Sequence, residues 1–155
     1  MILCTPDLSP PRPKVRKSEM DCVFLAGSIE DGKAELWQDK AVDYLYNYRC
    51  IVCNPRKDDW NPNATEEAKQ IKWEQECLSV SEIILFYFDP NTISPITLLE
   101  LGMAIGQKKK IVVVCKSEYF RYTNVLETLK FHGYDPPFDT LEKGLIKVCE
   151  LLSHR

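Results

Sequence analysis

Apolar residues along this chain alternate between short unbroken runs and stretches in which they recur every three or four positions. The runs are CVFLA at 22–26, RCIVCN at 49–54, IILFYF at 83–88 and KIVVVC at 110–115. Their length and their β-branched and aromatic content predict strands buried on both faces. The periodic stretches between them predict helices. One spans 34–48, with Leu36, Trp37, Ala41, Tyr44 and Leu45 facing inward, and another runs from about Glu66 to Ser79 behind a Thr65 cap. A third is opened by Ser94 as N-cap and Pro95 at N1, where a fixed φ helps and a missing N–H costs nothing. Two more cover 122–131 and 141–153. Strands alternating with helices of this length imply βαβ units with right-handed crossovers. The expected fold is α/β, a single-domain flavodoxin-like (Rossmann-like) three-layer sandwich with a four- or five-stranded parallel sheet.

In a parallel sheet every strand ends on the same side, so the loops after the strands face one crevice. Those loops carry Gly27 and Ser28, then Asn54, Pro55 and Arg56, then the segment from Asp89 to Ser94. Gly27 permits close backbone approach, Ser28 offers a hydroxyl, and Arg56 offers a planar fork for phosphate or carboxylate. Ser94 opens a helix whose N-terminal N–H groups favour anions. Taken singly these are a turn, a surface charge and a cap; their common location is what points to a ligand site. The helix behind Ser94 holds one acid, Glu100. Its neighbours at i±3 and i±4 are Ile96, Thr97, Met103 and Ala104, so the usual polar stripe is missing. Burial would raise the pKa of such a carboxyl, whereas the helix N-terminus would hold it ionised.

The chain has 155 residues, 45% of them hydrophobic, which suits one domain and leaves no room for a second. Residues 1–20, rich in Pro and Lys/Arg, are expected to be a disordered tail preceding a domain at 21–155. The tail lacks a signal peptide's apolar core, and no run is long enough to span a bilayer, so a cytoplasmic or nuclear location is expected. A net charge of −3 with no basic run beyond the tail argues against a nucleic-acid polymer as partner. Seven cysteines raise the question of a metal. Cys50 and Cys53 form a C-x-x-C, but on a strand a separation of three puts them on opposite faces. With only His132 and His154 to help, no zinc site is expected, and no cofactor. Neither a Walker sequence nor a G-x-G-x-x-G is present, which speaks against ATP hydrolysis and Rossmann-type dinucleotide binding.

VFLAGSIEDGKAELWQ at 23–38, CNPRKDDW at 53–60, KWEQECLSVSEIILFYF at 72–88 and SPITLLELGMAIGQKKKIVVVC at 94–115 together resemble the nucleoside 2-deoxyribosyltransferase superfamily. The resemblance covers roughly 22–125, and its most specific part is the strand, the loop and the E-L-G-x-A helix. It implies cleavage of the N-glycosidic bond of a (deoxy)nucleoside or its 5′-monophosphate, with the sugar passed to water or another base. Glu100 matches the Glu that attacks C1′ and forms a covalent glycosyl-enzyme. The resemblance also requires an acid that manages the proton on the departing base, for which Asp89 is the nearest candidate, and it implies a further acid on the helix before that strand, which Glu74 matches best, with Glu76 one helical step away.

One departure bears on the substrate. Base-exchanging members carry an Asp six residues before the nucleophile, and this chain has Ser94 there. Ser28 and Ser94 match the serines that hold the phosphate in the branch hydrolysing nucleoside 5′-monophosphates. The N-P-R-x-x-x-W loop is closer to a transferase-like branch. It assigns Arg56 to phosphate and Trp60 to base stacking, or both to bracing the loop. Gly27, Ser28 and Ile29 form the substrate-facing turn. Asn124 matches a residue that completes the neighbouring subunit's site, so a homodimer or higher homo-oligomer is implied, with Tyr119, Phe120 and Tyr122 either at that interface or sealing the sheet. The alternative to an enzyme is a nucleotide-binding or sensor domain of the same fold without chemistry.

Overall fold

The computed structural model describes residues 1–14, 19–29, 34–57 and 63–153. The chain order is β1 (Ile2–Cys4), β2 (Asp21–Gly27), α1 (Trp37–Leu45), β3 (Cys50–Cys53), α2 (Ala64–Val80), β4 (Ile83–Phe88), α3 (Pro95–Gly106), β5 (Lys110–Cys115), α4 (Tyr122–Phe131) and α5 (Leu141–Ser153). The strands form one all-parallel sheet in the order β1-β3-β2-β4-β5. β4 is buried at all six positions, as its unbroken apolar run requires. Side chains of alternating direction feed two cores. On one face Phe24, Phe86 and Phe88 pack under Trp73 and Leu78 of α2, Leu101 and Ala104 of α3, and Val125 and Leu129 of α4. On the other, Val23, Leu25 and Leu85 pack under Trp37 and Ala41 of α1 and Leu145 and Val148 of α5. This is the expected three-layer α/β architecture. No described helix is long and apolar enough to cross a membrane.

The expected disordered tail is corrected at its start. Ile2–Cys4 is an edge strand, registered Ile2 to Ile51, Leu3 to Val52 and Cys4 to Cys53. β3 pairs with β2 on its other side, and its free edge offers ladder hydrogen bonds that even three apolar residues can take. The Asn54 N–H donates to the Cys4 carbonyl at 2.9 Å. The Trp73 indole N–H donates to the Leu8 carbonyl, also at 2.9 Å, which holds the segment down.

Two helix starts also differ from expectation. α1 begins at Trp37, so Leu36 lies outside it and is exposed, and Tyr44, expected to face inward, is exposed as well, leaving Trp37, Ala41 and Leu45 as the buried face. α2 is capped by Asn63 and not by Thr65. The Asn63 side chain accepts from the Thr65 and Glu66 N–H groups, while the Glu66 carboxylate accepts from the Asn63 N–H, a reciprocal capping box.

α5 lies close against β5 because Gly144 has no side chain, and a Cβ there would stand 2.4 Å from Val114 Cγ2. Gly144→Ala is therefore expected to destabilise the fold by about 1–3 kcal/mol, despite the better helix propensity of Ala. A lower urea midpoint with unchanged m-value is the expected readout; a raised midpoint contradicts this packing.

Candidate functional site

β2 is the strand at which the chain reverses direction across the sheet. The α1 crossover leads to β3 on one side of it, and the α2 crossover passes to β4 on the other. The carboxyl ends of β2 and β4 therefore open side by side at the switch point, where open α/β sheets bind ligands. Gly27 ends β2 here. A Cβ on Gly27 would lie 2.6 Å from both the Tyr87 carbonyl and Trp37 Cζ2. The close approach that glycine permits is thus to the neighbouring strand and the Trp37 ring, which stacks on Tyr87 with centroids 5.1 Å apart. The Trp37 indole N–H in turn donates to the Ser28 carbonyl at 3.1 Å.

Three hydroxyls meet beyond this turn. Ser28 and Ser94 share a short hydrogen bond, Thr92 donates to Ser28 Oγ at 2.9 Å, and Thr92 and Ser94 lie 2.7 Å apart. All three residues are buried. Ser28 Oγ also accepts from the Asp89 N–H at 3.0 Å, which ties the end of β4 to the end of β2. Ser94 adopts a left-handed backbone with φ 49° and ψ 53°, and its side chain makes no capping hydrogen bond. The expected cap is corrected: that φ turns the hydroxyl away from the α3 N–H groups and into the trio. Its carbonyl still accepts from the Leu98 N–H at 3.1 Å.

Asp89 is buried, and its carboxylate is engaged with backbone. One oxygen accepts from the Asn91 N–H at 2.8 Å and the other from the Glu35 N–H at 3.2 Å. Glu35 receives hydrogen bonds from the Tyr87 hydroxyl and the Lys40 ammonium, which hold its carboxyl below the ordinary range. The Tyr87 phenol is pushed above its usual range by burial and by that same carboxylate. Arg56 spends its fork on the segment between β2 and α1. Nη1 donates to the Glu35 carbonyl and to Gln38 Oε1, each at 2.9 Å, and Nη2 donates to the Ala34 carbonyl at 3.2 Å. Of the two expectations for Arg56, bracing the loop is the one this geometry displays. Ile29 is half-buried, and its carbonyl accepts from the Ala34 N–H. Trp60 lies outside the described residues.

Glu100 occupies the second turn of α3 and is 6% exposed. It borders a cleft of about 120 Å³ between α2 and α3, lined also by Leu78, Ile84 and Met103. Among the described residues no Lys, Arg or His forms an ion pair with it. Burial, reinforced by repulsion from Glu74, pushes its carboxyl up to about 8. Of the two opposing effects the sequence offers, desolvation prevails over the helix N-terminus. Glu74 faces it from α2, with its own carboxyl raised by burial and partly relieved by Gln70. The Gln70 amide donates to Glu74 Oε1 and to the Pro55 carbonyl, both at 2.8 Å. Asn124 is exposed on α4 and makes no contact with these groups among the described residues. Tyr119 is fully buried, its ring 5.0 Å from Phe88 and its hydroxyl donating to the Ile93 carbonyl at 2.6 Å, so it seals the end of the sheet.

The residues thus fall into two neighbouring groups on α3, the hydroxyl trio with Asp89 at its start and the Glu74 and Glu100 pair in its interior. Thr92, Glu35, Gln38 and Gln70 hydrogen-bond to Ser28, Asp89, Arg56 and Glu74 respectively, and they escape sequence reasoning. Among the described residues, buried Gln38 has no partner for its Nε2 and Gln70 none for its Oε1. A polar residue four positions before Glu74 on the same helix face was the available signal for Gln70. Cys50 and Cys53 do face opposite cores, as the strand spacing requires.

A carboxyl held near 8 in the folded chain and near 4.5 when unfolded makes stability pH-dependent. Above the lower value the unfolded state loses its proton and the folded state does not, so stability falls until the higher value is passed. The slope is at most about 1.36 kcal/mol per pH unit, and the sum reaches a few kcal/mol. Glu100→Gln removes this term. The stability advantage of the Gln variant is expected to grow between about pH 4.5 and 8 and then to level off, measured by urea unfolding across that window. A difference independent of pH contradicts the burial of an ionisable Glu100.

No curated protein matches the chain. Solved structures do match, among them one described as a conserved protein from Enterococcus faecalis V583, at 15% identity and a TM-score of 0.48, covering 86% of this chain and 95% of that one. The family model described as "Nucleoside 2-deoxyribosyltransferase like" matches residues 21–119, from the start of β2 through α3 and β5 to Tyr119. That span is more than half of the chain and contains both groups of the candidate site. The chain therefore belongs to the nucleoside 2-deoxyribosyltransferase-like family, a group of nucleoside-modifying transferases and glycosidases.

Proposed function

We infer that this protein cleaves the N-glycosidic bond of a (deoxy)nucleoside or its 5′-monophosphate, with Glu100 as the nucleophile. The observation that carries this reading is a buried carboxyl on α3, inside the family match, set beside a second carboxyl and with no cation paired to it among the described residues. The ionised Glu100 attacks the anomeric carbon as the bond to the base breaks, giving a glycosyl ester on the carboxylate. Water or a second base then displaces the carboxylate at the same carbon, and Glu100 is restored. The departing base needs a proton. Glu74 suits this role better than Asp89, because burial favours its protonated form, whereas both Asp89 oxygens already accept backbone N–H groups. Asp89 then serves as the brace that aligns the ends of β2 and β4.

Ser28, Thr92 and Ser94 supply three clustered hydroxyls beside the α3 N-terminus. Turned outward, they can donate to a 5′-phosphate, whose charge the helix N-terminus favours. Gln38 Nε2, which has no partner among the described residues, adds one more polar atom near the same edge. We extend the reading to a homo-oligomer. Ile93, Ile96 and Leu99 on and before α3, with Phe120, are large exposed apolar side chains. Asn124 projects from the following helix, where it can reach a neighbouring subunit's site.

Glu100→Ala and Glu100→Gln are both expected to abolish release of base from nucleosides and 5′-monophosphates, followed by chromatography, while circular dichroism stays native. Retained turnover in either variant contradicts the assignment. For the native protein kcat/KM is expected to rise as pH approaches about 8, since the nucleophile must shed its proton, and to fall again once Glu74 has lost the proton it donates. Glu74→Gln removes a repelling charge, so the midpoint of its residual activity shifts to lower pH; an unmoved midpoint removes Glu74 from the site. Ser94→Ala is expected to lower kcat/KM for monophosphates about ten- to a hundredfold and to spare nucleosides. Equal losses on both substrates contradict a phosphate role. If sites are shared, Glu100→Ala and Asn124→Ala proteins regain part of the activity when mixed. A monomer by light scattering at working concentration contradicts sharing.

A further inference from the structure

Four of the seven cysteines gather on one face of the sheet, far apart in sequence. Cys4 and Cys53 are direct partners in the β1 and β3 register, so their side chains stand next to each other. Cys77 reaches down from α2, and the Sγ atoms of Cys4, Cys53 and Cys77 all lie within 4.8 Å of one another. Cys22 on β2 joins from the other side, its Sγ 3.4 Å from that of Cys53. All four are buried in the same core and none is in a disulfide. A free cysteine is often just a small apolar filler, but filling does not require four sulfurs to converge. The α2 and sheet core around them supplies Phe24, Trp73 and Leu78.

A redox pair is the other use for adjacent thiols, and the register disfavours it for the closest pair. Cys22 pairs with Ile51 and Phe24 with Cys53, so Cys22 and Cys53 are offset by two residues along neighbouring strands. That offset places their Cα atoms about 8 Å apart, beyond the reach of a disulfide without backbone movement. A metal ion has no such difficulty. Tetrahedral zinc with Zn–S bonds near 2.3 Å needs sulfurs about 3.8 Å apart, and the Cys4, Cys53 and Cys77 sulfurs already lie within 4.8 Å of one another.

The geometry points to a structural thiolate site for one Zn²⁺ ion, ligated by Cys4, Cys53 and Cys77, with water in the fourth position and Cys22 beside Cys53 but outside the ligand set. Each ligating thiol gives up its proton, so one Zn²⁺ enters as three protons leave, and no oxidant or reductant is involved. A buried donor set of three sulfurs selects a soft or borderline ion such as zinc over Mg²⁺ or Ca²⁺. Occupancy would join β1, β3 and α2 at one point and would fasten the three-residue edge strand, whose ladder alone is short. The segment after β1 lies against the cluster, with Cys4 Sγ 3.5 Å from the Ser9 carbonyl, and its displacement gives the ion a route in.

The test uses the full chain, purified under reductant without oxygen and titrated with Zn²⁺ alone, then with Co²⁺. The expected result is one equivalent of zinc per chain retained against a competing chelator and a raised Tm. Co²⁺ should give the intense visible bands of tetrahedral sulfur ligation, and zinc X-ray absorption a Zn–S distance near 2.3 Å. Cys53→Ser should weaken Zn²⁺ affinity at least a hundredfold and abolish the Tm rise, while Cys50→Ser, on the opposite face of the same strand, should change neither. Should Cys53→Ser fail to fold, Cys4→Ser on the edge strand serves in its place. Reduced, folded protein that retains no zinc, zinc bound without sulfur, or binding that survives loss of Cys53 or Cys4 overturns the site.

Discussion

Placing a carboxyl group on the covered face of α3 strips it of water, and among the described residues no cation is there to replace that water. Glu100 answers by favouring its protonated form, and the second carboxyl at Glu74 pushes in the same direction. The cost falls on stability, since an apolar residue in this place would pack against Leu78, Ile84 and Met103 with no electrostatic penalty. A group retained in such surroundings is a candidate for chemistry because its proton is loosely set near working pH.

The arrangement is a consequence of strand order. Because β2 has β3 on one side and β4 on the other, the chain has to cross the sheet, and the ends of β2 and β4 open next to each other. Gly27 lets the strands and Trp37 come close, Ser28 reaches across to the Asp89 N–H, and the left-handed turn at Ser94 directs a third hydroxyl inward. Asp89 and Arg56 secure the surrounding backbone. These are supporting roles, and they explain why several charged residues at this edge do not all face a ligand.

Much of this was legible before any coordinates. The bounds of β4, β5, α4 and α5 follow from unbroken or periodic apolar runs, and the burial of Glu100 follows from its i±3 and i±4 neighbours. What was not legible depends on neighbours distant in sequence. A three-residue strand has no period to read, so β1 looked like part of a polar tail. Ser94 has the composition of a cap, and only its φ and the proximity of Ser28 and Thr92 assign its hydroxyl elsewhere. The Asn63 cap was readable from the Glu three residues later and lost only to a nearer Thr. The meeting of Cys4, Cys22, Cys53 and Cys77 required the strand order itself, which sequence spacing does not encode.

The central claim is that Glu100 carries the sugar between bond breaking and its transfer. It is tested most directly by incubating the protein with a nucleoside or 5′-monophosphate whose 2′-fluorine slows breakdown of the glycosyl-enzyme, denaturing the mixture and mapping the adduct by peptide mass spectrometry. The account predicts that the peptide containing Glu100 gains the mass of the glycosyl group, with fragmentation locating it on that side chain. An adduct on Asp89, Glu74 or any other residue, or unmodified protein while the analogue's base is released, contradicts it.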